Sequence, residues 1–298
     1  EPNNYIPPQD LAPPRTPREK FSANITAIRT LKSIEKRMAD GGPHANGEEQ
    51  EILAQYSGWG GLSDAFEPNK DSWHSEYTEL KSLLTEEEYA AARSSTLTAF
   101  YTPPEVIDAM YTALRKMGVG AGTILEPSMG VGAFFGQSHS YLYEPTTRLF
   151  GVELDSLTGR IARQLYQKAS IQITGFEKAD LPDSFFDVVI GNVPFGDYSV
   201  VDPQYNRLHF KIHDYFFAKS IDKLRTGGII AFITTSGTLD KKSEEVRKYI
   251  NARCDFIGAV RLPDSTFKSA GTKAMADIIF LQKRDRILEQ DAGWLHTT

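Results

Sequence analysis

"TILEPSMGVGAFFG", residues 123–136, joins a short apolar run to a glycine-rich turn and then to a second apolar stretch. The first run is typical of a buried strand. Gly130 and Gly132 permit a tight turn in which the backbone can approach a ligand closely. A strand that passes through such a turn into a helix predicts the first unit of an α/β fold.

Further strand-helix units follow this stretch along the chain. The strands are predicted at "RLFGVELD", "IQITGF", "FDVVIGN" and "GGIIAFITTS", with helices at "LTGRIARQLYQKAS" and "HDYFFAKSIDKLRTGG". Apolar strands that alternate with helices predict a parallel sheet covered on both faces. "FIGAVRLP" and "ADIIFLQKR" are expected to pair as an antiparallel edge. The fold class is therefore α/β, with a doubly wound, mostly parallel seven-stranded sheet.

The sequence before the predicted sheet shows no alternation of strands and helices. Residues 1–20 are proline-rich and predict an extended arm, and residues 21–98 predict a helical N-terminal region. Ile25, Ile28 and Leu31 recur at helical spacing, and Thr85 with Glu88 predicts a capping box. The predicted sheet domain covers residues 99–285, and residues 286–298 are expected to form a C-terminal tail or linker.

Composition excludes several classes of protein. The 298 residues include one cysteine, Cys254, and carry a net charge of −6. One cysteine allows no internal disulfide and no cysteine-based zinc site, the histidines lack metal-ligand spacing, and no apolar run is long enough for a membrane span. No secretory signal is visible, so a cytoplasmic location is expected. Contact with nucleic acid would need a local patch or another module, because the chain as a whole is acidic.

The turn and the acids near it predict a nucleoside site. Glu153 ends the second predicted strand, where a carboxylate can accept hydrogen bonds from both ribose hydroxyls; the alternative is an acid that caps the next helix. Phe135 occupies the third glycine position of a dinucleotide fingerprint. Glu126 beside the glycines would repel a pyrophosphate and attract a sulfonium or ammonium, so the cofactor is expected to be S-adenosylmethionine rather than NAD.

"NVPF", residues 192–195, follows the fourth predicted strand and has features that a plain turn does not need. The Asn192 side-chain oxygen and the Val193 carbonyl could accept the two N–H groups of an exocyclic amine such as adenine N6, which would localise its lone pair. Pro194 would orient that carbonyl, and Phe195 would stack on the base. These four residues are the predicted catalytic site.

The motifs "FYTPPEVIDAM", "LEPSMGVGAFF", "GVELD", "GFEKAD" and "NVPF" occur in the order found in N6-adenine DNA methyltransferases that place their cofactor motifs first. With "YSGWGGLSDAF" upstream, the chain resembles the methyltransferase part of large methyltransferase–helicase proteins of phages and conjugative elements, some of which are antirestriction factors. The resemblance implies a Rossmann-like methyltransferase fold, a DNA substrate with a flipped adenine, and a helicase or target-recognition module as partner.

The resemblance also implies which residues bind each ligand. S-adenosylmethionine would contact residues of four motifs: Tyr101, Thr102, Pro103, Glu126, Pro127, Met129, Gly130, Gly132, Glu153, Leu154 and Phe176 or Glu177. Phe267 resembles the aromatic residue that stacks on the second face of the base, and its alternative is a core side chain. Tyr198, in the long segment after "NVPF", is expected to meet DNA.

Two departures from the family pattern keep other functions open. The family usually has proline where this chain has Val193, which leaves the carbonyl direction less fixed, and no target-recognition domain is visible after the last strand. The alternative is a catalytically weak or inactive methyltransferase-fold binding module. Methylation of a protein glutamine uses a similar tetrad, whereas cytosine C5 methylation would need a cysteine nucleophile, and Cys254 is predicted to be structural.

Overall fold

The computed structural model of the chain describes residues 1–9, 16–97, 101–267 and 275–296. Its sheet contains seven strands within these ranges: β1 (Thr123–Glu126), β2 (Arg148–Glu153), β3 (Ser170–Ile173), β4 (Phe186–Asn192), β5 (Leu224–Thr235), β6 (Cys254–Arg261) and β7 (Ala276–Lys283). The predicted boundary between residues 98 and 99 lies outside the described residues.

The strands are ordered β3-β2-β1-β4-β5-β7-β6. The first five of these are parallel, and β7 is inserted antiparallel between β5 and β6. The order reverses direction between β1 and β4, where the carboxyl ends of two neighbouring strands lead into loops that diverge. Ligands bind at such switch points in open α/β sheets. The doubly wound, mostly parallel seven-stranded sheet predicted from sequence is confirmed.

Helices cover both faces of the sheet. One face carries α5 (Pro104–Lys116), α6 (Ala133–Ser138) and α7 (Ser156–Leu165), and the other carries α8 (Ile212–Lys223) and α10 (Glu245–Arg253), which follows the short α9 (Gly237–Asp240). Side chains of β1 alternate between the faces: Ile124 joins a cluster with Ile107 of α5, and Leu125 joins one with Phe217 of α8. This alternation is the period-two pattern of a strand that is buried on both sides.

The N-terminal region consists of α1 (Pro17–Ala39), α2 (Gly47–Leu53), α3 (His74–Leu83) and α4 (Glu86–Ser94). Its apolar side chains, with Trp59 among them, share one hydrophobic cluster with Leu157 and Ile161 of α7. The helical region therefore packs on the sheet domain through a common core. The predicted domain limits themselves stay a prediction.

Three details differ from the sequence expectations. α1 begins at Pro17, within the predicted arm, because Thr16 and Glu19 form a capping box. The sequence predicted no helix at α3, whose only buried side chain is Leu80, so it lacks a strong apolar stripe. β5 begins at Leu224 rather than at the predicted glycines, since the chain pairs with β4 on both sides of a bulge.

Both predicted flanking segments contact the domain. Tyr5 N donates to Leu165 O at 2.7 Å, so the first residues run along the end of α7. Near the other end, Trp294 stacks on Phe256 with ring centroids 4.6 Å apart, and Leu295 is buried. Residues at both ends of the chain thus add apolar contacts to the domain.

Candidate active site

The glycine turn after β1 adopts a backbone that favours glycine. Gly130 and Gly132 have φ angles of +57° and +94°, and Gly132 precedes α6 as its N-cap residue. A Cβ on Gly132 would lie 2.4 Å from Tyr166 Cε2, whereas a Cβ on Gly130 would meet no atom within 4 Å. Gly132 is therefore required by packing, and Gly130 faces the open space that a ligand needs.

Neighbouring residues hold this turn on the sheet. Met129 N donates to Val152 O at 2.9 Å, so the turn is attached to the end of β2. Met129 and Pro127 are buried in the segment that leads into the turn, and Met129 O accepts from Gly132 N at 2.9 Å. The sequence assigned both to cofactor binding, and the structure places them directly behind the glycines.

Two carboxyl groups lie at the ends of β1 and β2. Glu126 is 2% exposed, and its Oε2 atom has no hydrogen-bond partner among the described residues. Glu153 accepts hydrogen bonds from Gly130 N and Asp155 N, both at 3.3 Å. Asp155, rather than Glu153, caps the following helix through Thr158 N. The capping alternative for Glu153 is therefore wrong.

The electrostatics of these two acids indicate a site for a positive charge. Burial, and then the charge of Asp155, raise the pKa of Glu153 to about 7 against the opposing effect of the backbone donors. Burial, and then the charge of Glu153, raise the pKa of Glu126 well above its usual value. A cation placed between the glycine turn and these acids would favour their ionised forms.

The side-chain amide of Asn192 forms a hydrogen bond through its nitrogen but not through its oxygen within the described residues. Its Nδ2 donates to Thr102 Oγ1 at 3.2 Å, while its Oδ1 is buried without a partner among the described residues. Gly191 brings this strand end close to Glu126, because a Cβ there would lie 3.3 Å from Glu126 Cγ. A buried acceptor without a donor costs free energy, so such a group indicates a missing ligand.

The next three residues continue from the sheet into a loop. Val193 is buried, and its N–H donates to Ile233 O of β5 at 3.1 Å. Pro194 is half-buried. Phe195 is half-buried and packs against the hydrophobic clusters on both faces of the sheet. Each of the four predicted catalytic residues thus has a fixed place at the switch point.

The residues before α5 lie beside Asn192. Pro103 precedes α5 as its N-cap residue, and Thr102 is buried under the Asn192 amide. Tyr101 is 37% exposed. The structure therefore brings the predicted cofactor motif at 101–103 to the same sheet edge as Asn192, although 90 residues separate Thr102 from Asn192.

The predicted residues on the adenine side of the cofactor differ in exposure. Leu154 is 76% exposed, next to Glu153. Phe176 is buried and packs on Phe216 at 4.9 Å between ring centroids, which makes the half-buried Glu177 the accessible member of that pair. Burial and the charge of Glu177 raise the pKa of Tyr198, which is half exposed. Glu177 and Tyr198 therefore lie on one rim.

Phe267 is 2% exposed and belongs to the cluster that contains Ile107 of α5 and Ile278 of β7. This burial favours the core alternative stated for it. Its role in stacking on the base stays a prediction.

Cys254 lies at the start of β6, opposite Lys283, at the sheet edge away from the switch point. It is fully buried, and burial raises the pKa of its thiol to about 12. A thiol of this kind is a poor nucleophile. The structural role predicted for Cys254 agrees with this position.

The sequence analysis did not predict that the loop after α2 contributes side chains near the acids of the candidate site. The side chain of Asn24, in α1, bonds Ser57 N and Gly58 O and so fixes this loop. The loop carries Tyr56 and Trp59, whose buried hydroxyl and indole N–H have no hydrogen-bond partner among the described residues. Tyr56 lies near enough to Asp155 and Glu153 to feel their charges. The signal available in the sequence was the motif "YSGWGG" itself.

Two searches of the described ranges bear on other functions. No group of three or more His, Cys, Asp or Glu side chains there could hold a metal ion. In the same ranges, no helix combines the length and apolar character needed to cross a membrane.

Comparison with known proteins identifies relatives for most of the chain. The family model described as N-6 DNA Methylase matches residues 83–295. A curated relative, Defense against restriction protein B of Escherichia phage P1, is 26% identical over 285 residues. The match covers 94% of this chain and 11% of the phage protein, so the chain spans about a tenth of that relative.

Solved structures share the fold. The modification subunit of a putative type I restriction enzyme from Vibrio vulnificus YJ016 matches with a TM-score of 0.53 and 20% identity, over 80% of this chain and 54% of that one. A type I restriction-modification methyltransferase subunit from Streptococcus thermophilus matches with a TM-score of 0.52 and 19% identity, over 87% and 66%. At these identities the similarity describes the fold alone.

Proposed function

The chain belongs to the N-6 DNA methylase family, and we propose that it transfers a methyl group from S-adenosylmethionine to N6 of adenine in DNA. The observation that carries this proposal is the buried, unpartnered Oδ1 of Asn192 beside the glycine turn and its acids. An acceptor at this position suits an exocyclic amine, which brings N–H donors.

The residues present fit the cofactor. Glu126 and Glu153 offer carboxylates to a sulfonium or ammonium and to ribose hydroxyls, and the open space at Gly130 allows a ligand to approach the backbone. When bound, S-adenosylmethionine supplies an electrophilic methyl group on a positively charged sulfur. Tyr101, Thr102 and Leu154 would complete the site, with Glu177 at its adenine end.

Asn192 and Val193 would act on the amine. The Asn192 Oδ1 and the Val193 carbonyl would each accept one N–H, which draws the nitrogen toward tetrahedral geometry and localises its lone pair. Thr102 holds the Asn192 amide in place through Nδ2, so the acceptor is oriented before the substrate arrives. Such preorganised groups contribute mainly in the transition state.

Phe195 would bind the base itself. Its half-buried ring at the switch point offers a face for stacking, which contributes ~1–3 kcal/mol per base. The adenine would have to leave the duplex, because N6 cannot otherwise reach Asn192. Tyr198 on the rim would then meet the neighbouring DNA.

An alternative is a catalytically weak or inactive binding module of a larger protein. It is favoured by Val193 in place of the family proline and by the small share of the phage protein that this chain matches. In either case we propose that sequence recognition comes from another module, such as a target-recognition or helicase part. The net charge of −6 gives this chain weak phosphate attraction.

The test is methylation by the purified chain. Incubation with S-adenosylmethionine and single- or double-stranded DNA, followed by nucleoside mass spectrometry, should detect N6-methyladenine. Asn192→Ala should lower kcat ~10²–10³-fold while cofactor affinity stays near wild type. Asn69→Ala, at an exposed position in the helical region, is the matched control and should retain activity.

Two outcomes would decide against the enzyme. Wild-type protein that binds the cofactor yet methylates no DNA would favour the binding module. Full activity of a folded Asn192→Ala variant would remove Asn192 from the mechanism.

A further inference from the structure

Glu126 and Glu153, called here the carboxyl pair, occupy the carboxyl ends of neighbouring strands. Glu126 is almost fully buried, and its Oε2 has no partner among the described residues. Glu153 is held by Gly130 N and Asp155 N. Both acids therefore border the glycine turn, and Glu126 has the poorer hydrogen bonding of the two.

Among the described residues, the titratable groups coupled to the pair come from several elements and are carboxyl groups and phenols. Asp155, in the turn before α7, raises the pKa of Glu153, and the charge of Glu153 raises the pKa of Glu126. The pair also affects the pKa of three tyrosine hydroxyls. The charge of Glu126 raises the pKa of Tyr111 in α5 and of Tyr166 after α7, and the charge of Glu153 raises that of Tyr56 in the loop after α2. Burial raises the pKa of each phenol, so they remain neutral at ordinary pH.

Two buried acids with an acidic neighbour cannot both stay ionised without a counterion, because desolvation and mutual repulsion oppose the second charge. A proton can satisfy the pair when no ligand is present. A cationic ligand can replace that proton, since it compensates the same charge.

We propose that the carboxyl pair is a proton-for-cation exchange site, which holds a proton in the free protein and releases it when S-adenosylmethionine binds. The inference rests on the proposed function. It makes Glu126 a specificity-determining residue that distinguishes the sulfonium-bearing donor from its product. S-adenosylhomocysteine keeps the ammonium but lacks the sulfonium, so transfer of the methyl group removes one of the two positive charges that favour the ionised pair.

The exchange has a defined pH dependence. Burial raises the pKa of Glu153 to about 7, and that of Glu126 is raised as well, so the pair is protonated in the free protein at lower pH. Below the raised pKa values of the pair, binding of S-adenosylmethionine must release a proton. Its affinity should therefore fall by up to about tenfold for each unit of decreasing pH. Above these values, affinity should level off. Affinity for S-adenosylhomocysteine should change less over the same range.

Calorimetry measures the released proton directly. S-adenosylmethionine is titrated into the full chain near the pKa of the pair, in buffers that differ in ionisation enthalpy. The slope of observed heat against buffer enthalpy should correspond to about one proton released. S-adenosylhomocysteine should give a smaller slope.

Glu126→Gln supplies the variant test, because an amide of the same shape carries no titrating proton. We expect the slope to fall toward zero and the preference for S-adenosylmethionine over S-adenosylhomocysteine to shrink by about tenfold, the effect of one uncompensated charge. Glu105→Gln, at an exposed position in the first turn of α5, should leave the slope unchanged.

The outcomes separate the two proposals. Cofactor binding with heats that do not depend on buffer in the wild type would overturn the exchange and leave the methyltransferase proposal intact. An unchanged slope in Glu126→Gln would also overturn it. No binding of S-adenosylmethionine at any pH would contradict both.

Discussion

At the scale of single residues, a backbone hydrogen bond bears on the one predicted catalytic position that departs from the family pattern. This position is Val193, where the family usually has proline. The sequence suggested that Val193 leaves the direction of the carbonyl less fixed than the proline that the family usually has. In the structure, the N–H of Val193 donates to Ile233 O of β5. A proline has no N–H and would lose that bond.

Val193→Pro should therefore lower the free energy of unfolding by ~0.5–1.5 kcal/mol, the usual contribution of one hydrogen bond. Urea denaturation measures this loss, and Val193→Ile is the control because it keeps the N–H and the branched side chain. The methylation assay on the same variant shows whether a more fixed direction of the carbonyl of residue 193 changes the rate. Unchanged stability would show that the bond to Ile233 contributes nothing.

The two glycines of the turn should respond differently to alanine. Gly130→Ala adds a methyl group in open space at a φ of +57°, so we expect a cost of ~1–2 kcal/mol from the backbone and weaker cofactor binding. Gly132→Ala adds the same backbone cost and a collision with Tyr166. Thermal denaturation should rank Gly132→Ala as the less stable variant, and equal stability would contradict the packing role of Gly132.

At the scale of elements, Glu88 connects three helices. From α4 it accepts hydrogen bonds from Lys32 of α1 and Arg160 of α7, both at 2.8 Å, and from Thr85 N at its own helix start. Its side chain is 7% exposed. This network fixes the helical region against α7, the helix that follows Glu153 and Asp155.

Glu88→Gln should destabilise the protein by ~1–3 kcal/mol, because Lys32 and Arg160 would lose a charged partner. These hydrogen bonds lower the pKa of Glu88 to about 2 against the opposing effect of burial. Its contribution should be present above the unfolded pKa of ~4.3 and be lost as the pH falls toward 2. The exposed Glu87→Gln is the control, and equal unfolding midpoints for the two variants would exclude the network.

At the scale of the whole molecule, the carboxyl pair should give the free protein an unusual pH profile. Both acids have a raised pKa in the folded state, so the folded protein binds more protons than the unfolded chain between about pH 4.5 and the pKa of the pair. Their contribution to stability should be greatest at low pH and be lost as the pH rises through their raised pKa values, which for Glu153 is about 7.

The measurement is the difference in Tm between wild type and Glu126→Gln across this range. Groups common to both proteins cancel in that difference, which isolates the pair. The variant should gain stability relative to wild type as the pH rises, and saturating S-adenosylmethionine should raise the Tm of the wild type most at high pH. A difference that does not change with pH would contradict the burial argument for Glu126.

The fold and the position of the glycine turn could be predicted from local sequence signals. Apolar runs that alternate with amphipathic stretches defined the strands and helices, and Gly130 with Gly132 marked the turn. The capping box of Thr85 and Glu88 is present as predicted. Each of these signals operates over a few neighbouring residues, through hydrogen bonds and dihedral preferences that the local sequence sets.

Tertiary structure decided the properties that depend on strand order and register. The amide of Asn192 is oriented by Thr102, 90 residues away, and its second end is left open by the same contact. Tertiary packing buried Phe267 in the core and left Glu126 Oε2 without a hydrogen-bond partner among the described residues. No local pattern encodes these facts, because desolvation and pairing depend on which distant segments the β1–β4 switch point brings together.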